Sequence, residues 1–251
     1  MLFRSDEARP SGWAGRAAAL LRLEVDRAVE SDPEVLAIEA VNRAVAARLR
    51  RRITAGSVRD LRGACAGLLA RGGDEALDLL LAHLLDAGPL DPEILRPEPD
   101  LVAYQPTPGR VVLDLVDLLA LGPADTLVDL GSGLGHVAIP AALWSGAGTI
   151  GVEREPAFVT YARRSAAALG LDRVQFLEGD AREVLPSGTA WFLYTPFRGA
   201  VLQGVVARIR ALGSGPMVAY GPCVGEIERM EGWRAVARRG ELVRFEGTLG
   251  E

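Results

Sequence analysis

Eight residues constrain this chain more than any others: Val128-Asp129-Leu130-Gly131-Ser132-Gly133-Leu134-Gly135. An apolar run carries an aspartate near its end, three glycines follow at alternate positions, and a helical pattern comes next. Glycine lets the backbone turn tightly there and approach a ligand with no Cβ in the way. Open parallel sheets place such turns at the carboxyl ends of their strands, where they bind ligands. The surrounding sequence agrees. After residue 107, short apolar runs alternate with helical stretches, and strands are predicted at 126–130, 149–152, 174–177, 191–194 and 217–220. Helices are predicted from Thr107-Pro108, from about Leu134, over Glu155 to Leu169, and from about Gly199 to Leu212. Strand–helix units of this size predict a mostly parallel sheet covered on both faces. The runs 233–237 and 242–245, separated by Arg238-Arg239-Gly240-Glu241, predict an antiparallel hairpin closing the sheet edge.

The first hundred residues follow a helical pattern instead. Helices are expected at about 12–30, from Ser31-Asp32-Pro33-Glu34 to Ile53, from Ser57 to Gly72-Gly73, and from Glu75 to Asp86. Aspartate and proline then mark a connector up to Asp100. The expected organisation is an all-α domain over 1–100 followed by a Rossmann-like α/β domain over 101–251, with a seven-stranded sheet. The helices are expected to cover the mouth of a site, select its substrate, or join two copies into a homodimer. Seven arginines (Arg43, Arg48, Arg50, Arg51, Arg52, Arg59 and Arg62) stand against one acid, Asp60, between residues 41 and 63. Such an excess of positive charge can contact a polyanion or form a solvated helix face, and with no aromatic platform or nucleic-acid motif beside it the solvated face is the expectation.

Composition excludes several chemistries. All 28 basic residues are arginine, so no lysine is available for a Schiff base or a phosphate-gripping loop. A net charge of -5 over 251 residues argues against a surface built for nucleic acid, and nucleic acid is not expected as a partner. Cys65 and Cys223 are far apart and lack metal-site spacing, so reduced structural thiols in a cytoplasmic protein are expected, and no metal. No segment approaches the roughly 18 apolar residues of a membrane span.

The glycine spacing differs from the G-x-G-x-x-G of dinucleotide enzymes, and an acid precedes its first glycine by two residues. Pyrophosphate needs an exposed helix N-terminus; S-adenosyl-L-methionine carries no phosphate but a cationic sulfonium and ammonium. Glu153 ends the second strand, where a carboxylate can accept from both ribose hydroxyls. Asp180 follows the third strand, where it can accept from the adenine amine, with the Ala181 amide beside it for a ring nitrogen. Three acids at successive strand ends, with Gly131, Ser132 and Gly133 between, predict an S-adenosyl-L-methionine site. In the methyltransferase fold that these motifs resemble, the fourth strand ends beside the sulfonium, which makes Tyr194 the candidate to line the transfer site, or a strand-end aromatic packed on the sheet. Phe197 is the candidate wall for the acceptor. His136 is expected as a polar residue near a helix start and His83 as a packed one.

These motifs resemble the class I S-adenosylmethionine-dependent methyltransferases. Tyr104-Gln105-Pro106-Thr107, the glycine motif with His136-Val137, and Gly151-Val152-Glu153 together are similar to the disruptor-of-telomeric-silencing family of protein-lysine methyltransferases. The resemblance implies that Tyr104 and Thr107 close over the methionine end of the cofactor, whose product is S-adenosyl-L-homocysteine. It implies a protein acceptor. The segment Tyr194-Thr195-Pro196-Phe197 is also a degenerate relative of the Asp/Asn-Pro-Pro-Tyr motif of amino-group methyltransferases. A small-molecule O- or N-methyltransferase and a non-catalytic cofactor-binding module are the other expectations.

Overall fold

The computed structural model describes residues 33–56, 60–86, 105–195, 197–213 and 215–248. The predicted helix at 12–30, the connector, Arg59, Tyr104 and Pro196 lie outside them.

Seven strands form one sheet: β1 (Thr126–Leu130), β2 (Gly148–Glu153), β3 (Val174–Glu178), β4 (Ala190–Tyr194), β5 (Met217–Tyr220), β6 (Trp233–Arg239) and β7 (Leu242–Gly247). Their order is β3-β2-β1-β4-β5-β7-β6. The first five are parallel, and β7 runs antiparallel between β5 and β6. The hairpin therefore extends the sheet with β7 inside and β6 at the edge. The chain builds outward from β1 through β2 to β3, then resumes on the other side with β4. That reversal leaves a crevice above the carboxyl ends of β1 and β4, where open α/β sheets bind ligands.

The central strands are apolar on both faces because both are covered. Leu127, Phe192 and Val218 face a core shared with helices α3 (Gly109–Leu119), α4 (Ala138–Ser145) and α5 (Pro156–Ala168). Val128, Leu130, Trp191, Leu193 and Ala219 face the opposite core, with α6 (Gly199–Ala211) and the short α7 (Cys223–Ile227). The sequence did not predict α7, whose single turn is too short to show periodicity. Helix α4 begins four residues later than the predicted Leu134, because Gly133 and Gly135 hold left-handed conformations (φ 52° and 87°) that keep the intervening residues in a turn.

Among the described residues two helices precede the α/β part, α1 (Pro33–Thr54) and α2 (Leu61–Leu84). Two separate helices were predicted where α2 runs, ending and starting around Gly72-Gly73. The structure keeps them as two helical segments of α2, broken at Gly73 (φ 72°, ψ -175°). Leu77, Leu81 and Leu84 are buried in the same apolar cluster as Val111, Val112 and Leu115 of α3. Arg50 of α1 donates to the carbonyls of His83, Leu84 and Asp86, which closes the end of α2. The Ser165 hydroxyl of α5 donates to the Leu85 carbonyl at 2.6 Å, in a buried position. Among the described residues no helix is long and apolar enough to cross a membrane.

Candidate active site

The glycine turn leaves β1 and folds back over β2. The amides of Gly131 and Ser132 both donate to the Val152 carbonyl, at 2.9 and 3.1 Å. Glu153 then anchors the turn from below: its Oε2 accepts from the Gly133 amide and its Oε1 from the Glu155 amide, both at 2.9 Å. Each carboxylate oxygen retains a second lone pair for a ligand hydroxyl. Gly151 keeps the strand open beneath the turn. A Cβ there would lie 2.5 Å from both the Ser132 hydroxyl and the Phe176 ring.

Asp129 is the electrostatic centre of the crevice. It is 3% exposed, and its Oδ2 has no hydrogen-bond partner. Burial raises its pKa to about 7, the Glu153 charge adds to the rise, and the Ala138 amide opposes it. A buried carboxylate with an unused oxygen suits a cationic ligand group, which would supply the missing counter-charge. The Ser132 hydroxyl is likewise buried and unpartnered. These orphaned atoms and the open glycine cradle fit the ammonium end of S-adenosyl-L-methionine, whose sulfonium supplies an electrophilic methyl group when the cofactor is bound.

Asp180 stands after β3, but its carboxylate is engaged by its own neighbour. The Arg182 guanidinium and backbone amide donate to it, and this contact holds its pKa below the ordinary range. Ala181 is buried in the α6-side core. Thr107 is buried just before α3. Tyr194 ends β4 with its hydroxyl 3.2 Å from Gln105 Oε1, to which it donates. Its ring meets that of Tyr220, at the end of β5, with centroids 4.7 Å apart. Burial raises the Tyr194 pKa, and burial with nearby Tyr194 and Glu241 raises that of Tyr220 to about 12. Both are neutral phenols at physiological pH, suited to hold and wall a substrate rather than to accept its proton.

Thr195 takes a left-handed conformation (φ 40°) and ties the two strand ends together. Its hydroxyl donates to the Tyr220 carbonyl and accepts from the Cys223 amide. Phe197 packs, partly buried, against the α6-side core. Burial lowers the His136 pKa to about 4, so this histidine is neutral. The sequence reading missed Tyr220; its signal is an aromatic at the carboxyl end of the strand next to Tyr194. It also missed Asp78, a lone acid inside the leucine run of α2, whose Oδ1 accepts from the Gly109 amide at 2.6 Å.

The arginine cluster is smaller in space than in sequence. Arg50 turns inward as described, and Arg62 pairs with Asp117 of α3. Among the described residues no three His, Cys, Asp or Glu side chains are placed to hold a metal. Both cysteines are buried and unlinked.

The strand order, the antiparallel β7, and an acid-preceded glycine turn with a carboxylate ending β2 define a class I methyltransferase fold and cofactor crevice. Residues 121–190 match the family model described as a methyltransferase domain. A 23S rRNA (uracil(1939)-C(5))-methyltransferase from Shewanella sediminis is 43% identical over 70 residues, 28% of this chain. The chain spans only 16% of that relative's length. An RNA methyltransferase from Salinibacter ruber, solved with S-adenosyl-L-homocysteine, is 30% identical, with a TM-score of 0.47 over 57% of this chain and 92% of that one. TrmN from Thermus thermophilus shares the fold at 18% identity, with a TM-score of 0.50 over 58% of this chain and 50% of that one. With the fold and the crevice, the match over residues 121–190 makes that part of the chain a methyltransferase domain.

Proposed function

We propose that this protein transfers the methyl group of S-adenosyl-L-methionine to a nitrogen or oxygen nucleophile held beside Tyr194. The observation that carries this is the buried, unpartnered Oδ2 of Asp129 beneath a turn pinned by Glu153. In this reading Asp129 faces the cofactor's ammonium, Glu153 accepts from the ribose, and Gly131, Ser132 and Gly133 lie against the cofactor. Asp180 and the Ala181 amide receive the adenine, with Asp180 shared between the base and Arg182. The resemblance assigns Thr107 and Tyr104 to the methionine end of the cofactor. The nucleophile's lone pair forms the new bond as the carbon–sulfur bond breaks toward sulfur. Its proton, if it carries one, leaves to solvent, because burial lowers the His136 pKa to about 4 and makes that imidazole a weak base. Catalysis then rests on alignment and exclusion of water.

The acceptor has two readings. The names of the Shewanella and Salinibacter relatives support RNA, against the expectation drawn from net charge. The resemblance to the disruptor-of-telomeric-silencing enzymes supports a lysine side chain on a protein. Incubation of a cell lysate with the purified chain and methyl-radiolabelled cofactor, followed by digestion with nuclease or protease, separates them. Label that disappears with nuclease identifies RNA, and label that disappears with protease identifies protein. No label in any fraction, despite cofactor binding, contradicts transferase activity and leaves a binding module.

A further inference from the structure

Gln105 stands in an extended segment, Gln105-Pro106-Thr107-Pro108, that leads into α3. Each proline fixes its own φ and biases the residue before it toward extended backbone, so the segment is stiff before any packing. Packing then locates it. Pro106 and Thr107 are buried, and the Gly109 amide that follows is held by Asp78 of α2 at 2.6 Å. Gln105 itself is exposed, at the outer end of this anchored run.

Strand alternation sets its partner. Trp191 and Leu193 face the α6-side core, whereas Tyr194 packs with Phe192 on the α3 side. Asp129 lies in register with Phe192, so the buried carboxylate and the Tyr194 ring share one face of the sheet, on neighbouring strands. The Tyr194 hydroxyl donates to Gln105 Oε1 at 3.2 Å and joins that face to the segment before α3. Tyr220 holds the ring from the other side, with centroids 4.7 Å apart, and its own hydroxyl donates to the Glu241 carboxylate.

A phenol has one proton to donate and two lone pairs with which to accept. With its proton committed to Gln105, the Tyr194 oxygen offers a substrate lone pairs only. Donation to one partner also makes that oxygen a better acceptor for the next. A nucleophile attacking a methyl carbon must aim a lone pair along the carbon–sulfur axis, with its hydrogens pointing elsewhere. An accepting oxygen holds an N–H or O–H and leaves that lone pair clear; a donating hydroxyl would occupy the lone pair itself. The contact also strengthens as the nucleophile gains positive charge, which favours the transition state over the ground state.

We infer that Gln105 is a positioning residue for methyl transfer: by accepting the Tyr194 hydroxyl proton in a hydrogen bond it keeps Tyr194 an acceptor, which selects and aligns nucleophiles that carry hydrogen. Tyr194 takes no proton in this role; the nucleophile's proton leaves to solvent after transfer. This role presupposes methyl transfer beside Tyr194.

Initial rates of label transfer from S-adenosyl-L-methionine, over a range of its concentrations, test the role with the full-length chain and the lysate fraction that wild type labels. Gln105 is exposed, so its variants leave the core intact. Gln105→Leu removes the acceptor and should lower the maximal rate about tenfold, while the KM for the cofactor changes by less than about twofold. Gln105→Glu keeps an acceptor oxygen in place and should stay within about threefold of wild type. Adding Gln105→Leu to Tyr194→Phe should cost nothing further, because the effect passes through the hydroxyl. With an active wild type, four results overturn this role alone: a Gln105→Leu chain as fast as wild type, a loss carried entirely by KM, a Gln105→Glu chain as slow as Gln105→Leu, or a further loss in the double variant. Label recovered on a carbon atom of the acceptor overturns it as well, since the attacking atom then carries no N–H or O–H. A wild type that binds S-adenosyl-L-homocysteine but labels no fraction overturns the transferase reading, and this role with it.

Discussion

At the scale of single residues, Asp129 joins fold and function through one proton. Near neutrality its carboxyl is about half protonated, because burial and Glu153 raise its pKa to about 7. A cationic cofactor group favours the carboxylate, so binding expels that proton. Calorimetry of S-adenosyl-L-homocysteine at pH 6.5 in buffers of different ionisation enthalpy should show proton release that is lost in Asp129→Asn. Identical enthalpies in all buffers would remove Asp129 from the ligand's surroundings. The same group acts on stability. Its folded pKa lies above the unfolded value of 3.8. Its contribution is therefore complete below pH 4 and lost as pH rises toward 7, by up to about 4 kcal/mol. His136 has the opposite sign: its pKa of about 4 lies below the ordinary 6.5, so its contribution is lost as pH falls through that window. Chemical denaturation between pH 4 and 8 should therefore show a stability difference between Asp129→Asn and wild type that widens with pH.

At the scale of elements, Gly73 divides α2 by a backbone conformation that side chains do not adopt. Gly→Ala within a regular helix stabilises by about 1 kcal/mol. Here Gly73→Ala should destabilise by about 1–3 kcal/mol, because the kink requires that conformation. A rise in melting temperature would mean that α2 tolerates being straight. The sequence made most elements legible for a definite reason. Val128, Leu130, Trp191 and Leu193 alternate with Leu127 and Phe192 between two covered faces, and such strands read as unbroken apolar runs. Glu153 was legible because it closes one of those runs. Asp78 was not, since its role depends on α3 lying against α2, and Tyr220 depends on the register that sets it beside Tyr194. The pairing of Asp180 with Arg182, two residues on, leaves no mark in strand periodicity.

At the scale of the whole molecule, the helices before residue 86 share their core with the cofactor-binding sheet. Leu77, buried completely, belongs to the cluster that contains Val112, Leu127 and Phe192. Leu77→Ala should cost about 2–5 kcal/mol. Because the core is continuous, the loss should shift a single calorimetric transition that S-adenosyl-L-homocysteine raises in both wild type and variant. Two transitions, with only the ligand-insensitive one moved by Leu77→Ala, would show that α1 and α2 fold apart from the sheet. Helix α2 supplies Asp78 to the edge where Tyr194 and Tyr220 end their strands.

The central claim is a cofactor crevice built from Asp129, the glycine turn and Glu153. Calorimetric titration of the wild-type chain with S-adenosyl-L-methionine tests it most directly, alongside Glu153→Ala. Wild type should bind one equivalent. Loss of the charged hydrogen bonds to the ribose should weaken binding at least tenfold, about 1.4 kcal/mol or more. A wild-type chain that is folded and does not bind S-adenosyl-L-methionine contradicts the account, as does a Glu153→Ala chain that binds it as tightly as wild type.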